Sequence, residues 1–232
     1  MRASSLHFFL YICGMKVLYC DIREFGEEFV EMCAGLLPEW RKEQMLNIKH
    51  VRGRVQCAVG WMLATLADED KEDKRYDEKK DKMWMYNEHG KPYFEGRDDL
   101  FFSISHCGSA VVVAIDDGEV GVDIEEIGRY KERLENYVLN DDEVPCLEEA
   151  RNDRERGEMF IELWTKKEAA FKLLGTGITH EIKDILKKAD FNVYSQKIGD
   201  KYLSVASYKK LDDNDLIIND VTANVKNYVK IY

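Results

Sequence analysis

The chain has 232 residues, of which 45% are hydrophobic and 34% charged, a composition typical of a soluble globular protein with one large or two small domains. Its net charge of −11 argues against a general nucleic-acid-binding protein, although an acidic protein can still bind phosphate groups in a local basic pocket. No apolar stretch approaches the length of a membrane span, so we expect neither nucleic acid nor a membrane as a partner.

The cysteines are irregularly spaced, and no two of them form a C-x-x-C pair: Cys13, Cys20, Cys33, Cys57, Cys107 and Cys146. Scattered cysteines of this kind are typical of free thiols in a reducing compartment. We therefore expect a cytoplasmic protein.

The first fourteen residues differ from the rest of the chain. An apolar run from Leu6 to Cys13 follows a single Arg2, but no small-residue cleavage site of a signal peptide comes after it. Met15 then begins an apolar segment that has the pattern of a natural first strand. We predict that residues 1–14 are a non-native or upstream-start extension without a function.

The region before the centre of the chain alternates strand and helix patterns. The expected elements are a strand at 16–22, helices at 24–37 and 49–66, a strand at 83–86, a turn at 87–90, an extended piece fixed by Pro92, and a strand at 100–106. The almost wholly charged run 68–82 predicts a solvated loop or an exposed helix, and we assign it no chemistry.

Two carboxylates lie at the centre of the chain. The apolar run 111–115, a turn at 116–118 and the segment 121–125 predict a hairpin. Because side chains alternate along a strand, Asp123 and Glu125 share one face of the second strand. Either the two side chains are solvated on an edge strand, or they are two ligands of one small, hard cation.

The second part of the chain predicts helices and then strands. The expected helices cover 130–139, 142–150 and 158–174, the last of them ended by Gly175, and strands at 191–194, 202–208 and 215–221 are expected to form an antiparallel meander.

The best-defined helix, 158–174, carries Trp164, Glu168 and Lys172 on one face, because they are four residues apart. An ordinary solvated Glu–Lys pair is the simpler interpretation. The helix is apolar over most of its girth, however, so we expect Glu168 and Lys172 to be half-buried, which costs free energy unless something compensates.

A third carboxylate, Glu168, can thus join Asp123 and Glu125. Three oxygen ligands without a soft donor suit Mg²⁺, or Mn²⁺, rather than zinc. Positive charge for a phosphate is available from Lys91, His106 and Lys172. The residues by themselves indicate metal-assisted chemistry on a phosphate or pyrophosphate.

Three segments carry a family resemblance. Phe102–His106 (FSISH), Gly121–Glu125 (GVDIE) and Trp164–Lys172 (WTKKEAAFK) resemble, in this order, the signature of the 4′-phosphopantetheinyl transferases. The chain is most similar to the two-halved monomeric type that activates peptide and polyketide synthetases. Gly90–Pro92 and Arg54–Gln56 resemble the weaker upstream motifs of the family.

The resemblance implies an α+β fold, a pseudo-dimer of two similar halves in which a small antiparallel sheet packs with helices, at residues 15–118 and 119–232. It also implies that coenzyme A binds between the halves. The implied reaction is the Mg²⁺-dependent transfer of the 4′-phosphopantetheine arm to a serine of an acyl or peptidyl carrier protein, with release of adenosine 3′,5′-bisphosphate.

The resemblance also implies roles for single residues. Asp123, Glu125 and Glu168 would hold Mg²⁺, while Glu168, Lys172 and Asp123 would be catalytic. Glu168 would help to deprotonate the serine, and Lys172 would neutralise and protonate the leaving phosphate. The implied contacts to coenzyme A are Arg54, Lys91, Pro92, Ser105, His106, Cys107, Gly108 and Lys172.

Some positions depart from the family pattern. Cys107 stands where a small hydroxyl residue is common, and Arg41 and Lys42 match the family's basic residues only loosely, so they stay unassigned. The carrier protein stays open as well. A docking patch near Lys166, Lys167, Lys187 and Lys188 is one hypothesis.

Two other functions remain open at the level of sequence. One is a non-catalytic coenzyme A or carrier-binding module, which the full set of expected catalytic residues disfavours. The other is a Mg²⁺-dependent hydrolase of a pyrophosphate-containing nucleotide.

Overall fold

The computed structural model describes residues 14–68, 84–188, 190–210 and 216–231. The predicted extension at 1–14 therefore lies outside the described residues except for Gly14. The charged run 68–82 lies outside them as well, except for Asp68, which ends a helix.

Strands and helices alternate along the described chain, as the sequence predicts. The strands are β1 (Lys16–Asp21), β2 (Trp84–Tyr86), β3 (Pro92–Phe94), β4 (Phe101–His106), β5 (Ala110–Asp116), β6 (Val120–Glu126), β7 (Asn192–Ile198), β8 (Lys201–Ser207) and β9 (Ile218–Asp220). The α-helices are α1 (Glu27–Ala34), α2 (Glu39–Asn47), α3 (Val51–Asp68), α4 (Glu135–Val138), α5 (Glu143–Glu148), α6 (Asp153–Leu174) and α7 (Thr222–Ile231). The predicted α+β class is confirmed.

The first sheet has the order β4–β5–β1–β9. β5 is antiparallel to both β4 and β1, and all of its residues are buried, as expected for an apolar run in the middle of a sheet. One face of this sheet packs on α1 and α3 through residues such as Leu18 and Val113. The opposite face, with Val17 and Val112, packs on the second sheet.

The second sheet has the order β6–β8–β7 and is antiparallel throughout. Val122 and Ile124 of β6 lie in the core shared with the first sheet. Because side chains alternate, Gly121 and Asp123 face the other way, towards α6. The predicted division of the two faces of this strand is therefore confirmed.

The predicted hairpin of β5 and β6 is wrong. β5 already has β4 on one edge and β1 on the other, so its backbone hydrogen-bonding groups are used, and β6 pairs with β8 instead. The turn after β5 leads the chain from one sheet to the other.

The predicted meander is wrong at its third strand, because β9 runs parallel to β1 in the first sheet. The helix α7 follows it there: Val225 and Val229 are buried in the core of the first sheet, and the Asp21 amide donates to the Thr222 hydroxyl at 2.8 Å. The division of the chain at residues 118 and 119 stays a prediction, and the structure adds that the C-terminal segment packs on the first sheet.

Other boundaries shift by smaller amounts. The helix α6 begins at Asp153, five residues before the predicted start, because the Asn152 side chain accepts a hydrogen bond from the Glu155 amide and caps the helix. Gly175 ends it in the left-handed conformation, with φ of 66°, as predicted. The predicted helix at 130–139 is replaced by one 3₁₀ turn, Glu132–Leu134, and the short helix α4.

The helix α6 crosses β6 directly over Gly121. A Cβ atom at this position would overlap the Ala169 carbonyl oxygen and the Leu173 amide nitrogen of the helix. Only glycine lets the two backbones approach so closely, and this approach sets the distance between the side chains of α6 and those of β6.

None of the helices in the described ranges combines the length and the apolar character needed to cross a membrane.

We predict that Gly121→Ala lowers the free energy of unfolding by at least about 2 kcal/mol, because the added methyl group meets helix backbone that cannot move aside. Urea unfolding followed by circular dichroism measures this. Gly128→Ala is the matched control, since a Cβ there meets no atom within 4 Å. Equal stability of the two variants would contradict the proposed role of the close approach.

Candidate active site

Asp123 is the centre of the site. It is 4% exposed, and its Oδ1 atom accepts hydrogen bonds from the Ser105 hydroxyl and from the Lys172 ammonium, both at 2.7 Å. Its Oδ2 atom is buried and has no hydrogen-bond partner among the described residues. A buried carboxylate oxygen without a partner is costly, so this atom is a natural place for a cation or a donor to bind.

Two serines connect β4 to β6. The Ser103 hydroxyl accepts from the Val122 amide at 3.1 Å, and the Ser105 hydroxyl accepts from the Ile124 amide at 3.4 Å. These amides lie on the edge of β6 that β8 does not use, and the serine side chains take the place of a neighbouring strand. Ser105 donates a hydrogen bond to Asp123, and its predicted contact with coenzyme A stays a prediction.

Glu125 and Glu168 lie close enough to Asp123 for its charge to act on both. The pKa of each is raised from 4.5 to about 7, mainly by burial and secondly by the Asp123 charge. Lys172 acts in the opposite direction on both. The Arg129 guanidinium also contacts Glu125, at 3.0 Å. The structure therefore brings the three predicted carboxylates and the predicted lysine together.

These side chains do not form a closed metal cage as they stand. Within the described ranges, no group of three or more His, Cys, Asp or Glu side chains is arranged to hold a metal ion. The Lys172 ammonium is the positive group that Asp123 contacts instead. The side chain of Lys172 is 30% exposed, and Glu168 is half-buried, as the helix pattern predicts.

His106 ends β4 at the rim of this cluster. The residue is exposed overall, but packed atoms around the ring lower its pKa, and the nearby Lys172 cation lowers it further. A neutral ring would bind an anion as a hydrogen-bond donor, and a protonated ring would also supply charge.

Lys91 contacts the C-terminal end of α6. Its ammonium donates to the Leu173 carbonyl oxygen at 2.9 Å and pairs with Glu119, while the Asn87 amide donates to the Gly175 carbonyl oxygen at 3.0 Å. The β2–β3 hairpin, in which Pro92 begins β3, thus holds the C-terminal end of α6. Its proposed contact with a phosphate stays a prediction.

Arg54 is not brought to the carboxylates by any contact that the structure describes. Its guanidinium donates to the Ile48 carbonyl oxygen at 2.8 Å and pairs with Glu27 at 3.0 Å, both in the first half of the chain. Cys107 and Gly108 form the turn after β4, where the Gln56 side chain donates to the Cys107 carbonyl oxygen at 2.8 Å.

The hypothesis of a lysine docking patch is wrong for Lys167. Its side chain is fully buried, and its ammonium donates to the Glu143 carboxylate at 2.6 Å and to the carbonyl oxygens of Val138 and Lys183. It fixes α6 to the end of α4, to the start of α5 and to the 3₁₀ turn His180–Lys183. The other three lysines are in ion pairs: Lys166 with Glu162, Lys187 with Asp142, and Lys188 with Glu181.

A cavity of about 610 Å³ lies apart from this cluster. It includes none of the residues that the sequence predicts for the site. Its lining comes from α6, from β7 and from the segment before β9: Glu162, Lys166, Val193, Tyr194, Ser195, Gln196 and Leu216.

Sequence reasoning missed two contacts to the cluster. Arg129 follows Glu125 by four residues, a spacing that could have suggested their ion pair. The bond between Ser105 and Asp123 joins residues 18 positions apart, and no local pattern reveals it.

Part of the chain is similar in sequence to proteins of a known family. Residues 119–219 match the model described as the 4′-phosphopantetheinyl transferase superfamily. That range contains Asp123, Glu125, Glu168 and Lys172, so the match includes the whole carboxylate–lysine cluster. The second part of the chain is therefore similar to this superfamily, and the match agrees with the resemblance of the Gly121–Glu125 and Trp164–Lys172 motifs.

Three curated relatives show how far the likeness extends. The chain is 37% identical over 91 residues to the 4′-phosphopantetheinyl transferase psf-1 of Bacillus pumilus, over 39% of each chain. It is 35% identical over 96 residues to gsp of Aneurinibacillus migulanus, over 41% of this chain and 39% of that one. It is 30% identical over 102 residues to Sfp of Bacillus subtilis strain 168, which covers 44% of this chain and 45% of that one. The aligned region thus spans less than half the length of these relatives.

We predict that the ligand-free protein loses stability as the pH rises from about 4.5 to about 7, through Glu125 and Glu168. A carboxyl group with a raised pKa holds its proton more tightly in the folded chain than in the unfolded chain. Its contribution to stability is therefore complete at low pH and is lost as the pH rises through the folded pKa.

Urea unfolding at a series of pH values tests this with Glu168→Gln. The variant should show a less negative slope than the wild type, by up to about 1.4 kcal/mol per pH unit. Glu132→Gln, which removes an exposed carboxyl group on the 3₁₀ turn Glu132–Leu134, is the control and should keep the wild-type slope. An unchanged slope in Glu168→Gln would contradict the prediction.

Proposed function

We propose that this protein transfers the 4′-phosphopantetheine arm of coenzyme A to a serine hydroxyl of an acyl or peptidyl carrier protein, with release of adenosine 3′,5′-bisphosphate. The observation that carries the proposal is the Asp123 carboxylate, which has one oxygen on Lys172 and the other buried without a partner among the described residues. The relatives are each named as a 4′-phosphopantetheinyl transferase, which supports the substrate class.

The residues present fit a Mg²⁺ ion. All the candidate ligands are carboxylate oxygens, which Mg²⁺ prefers, and the unpartnered Asp123 Oδ2 atom is the natural first ligand. The pKa values of Glu125 and Glu168 are raised first by burial and second by the Asp123 charge, and a divalent cation would offset both effects. A bound ion would neutralise the pyrophosphate and polarise it for attack.

Glu168 is the proposed proton acceptor. Its pKa of about 7 lies near neutrality, so the carboxylate can take a proton from the attacking serine, directly or through one water. In the transfer, the serine oxygen forms a bond to the phosphorus that bears the pantetheine arm. The bond from that phosphorus to the oxygen of the leaving adenosine bisphosphate breaks.

Lys172 is the proposed partner of the leaving group. Its ammonium lies 2.7 Å from Asp123, and it is partly exposed, so it can reach a phosphate that binds beside the carboxylates. It would donate a hydrogen bond and then a proton to the phosphate as negative charge develops there. Ser105 supports this arrangement, because its bond to Oδ1 fixes the orientation of the Asp123 carboxylate.

The remaining proposals concern binding and location. His106 and Gly108, at the rim of the cluster, would contact the phosphates of coenzyme A, with Cys107, Lys91, Pro92 and Arg54 farther along the molecule. We propose a cytoplasmic monomer, and the five cysteines of the described residues, all free thiols, are compatible with that compartment. The choice between fatty-acid, polyketide and peptide carriers is left to experiment.

Intact-mass spectrometry of a panel of carrier proteins incubated with coenzyme A tests the function. We expect a mass gain of one phosphopantetheine arm with Mg²⁺ and none with a chelator. Asp123→Asn, Glu168→Gln and Lys172→Met should each slow transfer by at least about 100-fold, because each removes a group that acts on the reacting charges.

Glu132→Ala is the control for these variants and should transfer at the wild-type rate. Full activity of Asp123→Asn would overturn the metal assignment. Release of adenosine bisphosphate in the absence of any carrier would instead indicate a hydrolase.

A further inference from the structure

Glu126, the last residue of β6, makes a contact that the proposed chemistry does not use. It follows Glu125 directly, and because side chains alternate along a strand it points to the opposite face. There the Ser109 hydroxyl donates to its Oε1 atom at 2.6 Å. Glu126 thus reaches across from the second sheet to the turn between β4 and β5 of the first sheet.

The backbone of this turn lies against the same carboxylate. A Cβ atom on Gly108 would lie 3.1 Å and 3.3 Å from the two oxygens of Glu126, closer than ordinary packing allows. The Glu126 charge also contributes, after burial, to the raised pKa of the Cys107 thiol. Glu126 therefore lies against Gly108 and Ser109 of the turn 107–109 and acts on Cys107 through its charge.

Contacts within the first half hold the rest of the turn. The Gln56 side chain donates to the Cys107 carbonyl oxygen at 2.8 Å, and the Ile22 amide donates to the Ser109 carbonyl oxygen at 2.9 Å. Neither contact connects the turn to β6, the strand that carries Asp123 and Glu125. The hydrogen bond from Ser109 to Glu126 makes this connection, at the residue next to Glu125.

We infer that Glu126 is a positioning residue that locks the turn 107–109 onto the end of β6, so that the exposed His106 and Gly108 are held in register with the carboxylate cluster for an anionic substrate. This inference rests on the proposed function. Its chemical sense is that the charge-assisted hydrogen bond from Ser109 to Glu126 fixes the position of the turn beside the carboxylates.

Steady-state kinetics and calorimetric binding of coenzyme A test the inference. Glu126→Ala and Ser109→Ala should each raise KM and Kd for coenzyme A about tenfold, the effect of losing one charge-assisted hydrogen bond, while kcat changes less than about threefold. The double variant should be no worse than either single variant, because both remove the same contact.

Glu126→Gln separates position from charge. Its amide oxygen can still accept the Ser109 proton, so KM should stay within about threefold of the wild-type value. If Glu126→Gln weakens or strengthens binding as much as Glu126→Ala does, the charge and not the contact matters, and the inference is overturned. Unchanged KM and Kd in Glu126→Ala and Ser109→Ala would overturn it as well.

One control variant and one additional measurement support the interpretation of these kinetics. Glu132→Ala removes one negative charge from an exposed site and should leave KM for coenzyme A unchanged. Alkylation of the buried Cys107, followed by peptide mass mapping, should be faster in Ser109→Ala than in the wild type if the turn is released. A wild-type protein that binds coenzyme A but modifies no carrier would contradict the proposed function, while the Kd values would still decide the role of Glu126.

Discussion

The arrangement of the site depends on the contact between the backbone of α6 and Gly121 on β6. The glycine lies under Ala169 and Leu173 with no room for a side chain, so the helix rests directly on the strand. Asp123, two residues farther along the same face, is thereby brought within 2.7 Å of Lys172. A larger residue at position 121 would raise the helix and separate the groups that the proposed chemistry needs together.

Electrostatics explain why this close approach is useful and also why it is costly. Three carboxyl groups share a half-buried space with one lysine, and two of them respond with pKa values near 7. Ionising these buried groups is therefore costly in the ligand-free protein. The proposed divalent cation would offset this cost and would allow an anionic substrate to bind, whereas the empty site lowers the stability of the protein.

The junction of the two sheets is built largely from side chains. Ser103 and Ser105 bind amides on the free edge of β6, and Ser109 binds Glu126 at the end of the same strand. Hydroxyl groups can make such bonds without forcing the two sheets into one continuous ladder. The first sheet thus keeps its own strand order, while Ser105 on β4 holds the Asp123 carboxylate through a hydrogen bond.

The sequence alone predicted most of the local elements and the side chains that the structure brings together around Asp123. Alternation along β6 placed Asp123 and Glu125 on one face, and the four-residue spacing placed Glu168 with Lys172, because these periods follow from backbone geometry. Tertiary structure alone decided that β6 pairs with β8, that β9 returns to the first sheet, and that Lys91 caps α6. Those outcomes depend on which edges and carbonyl groups remain unpaired after the chain has folded, and no local pattern carries that information.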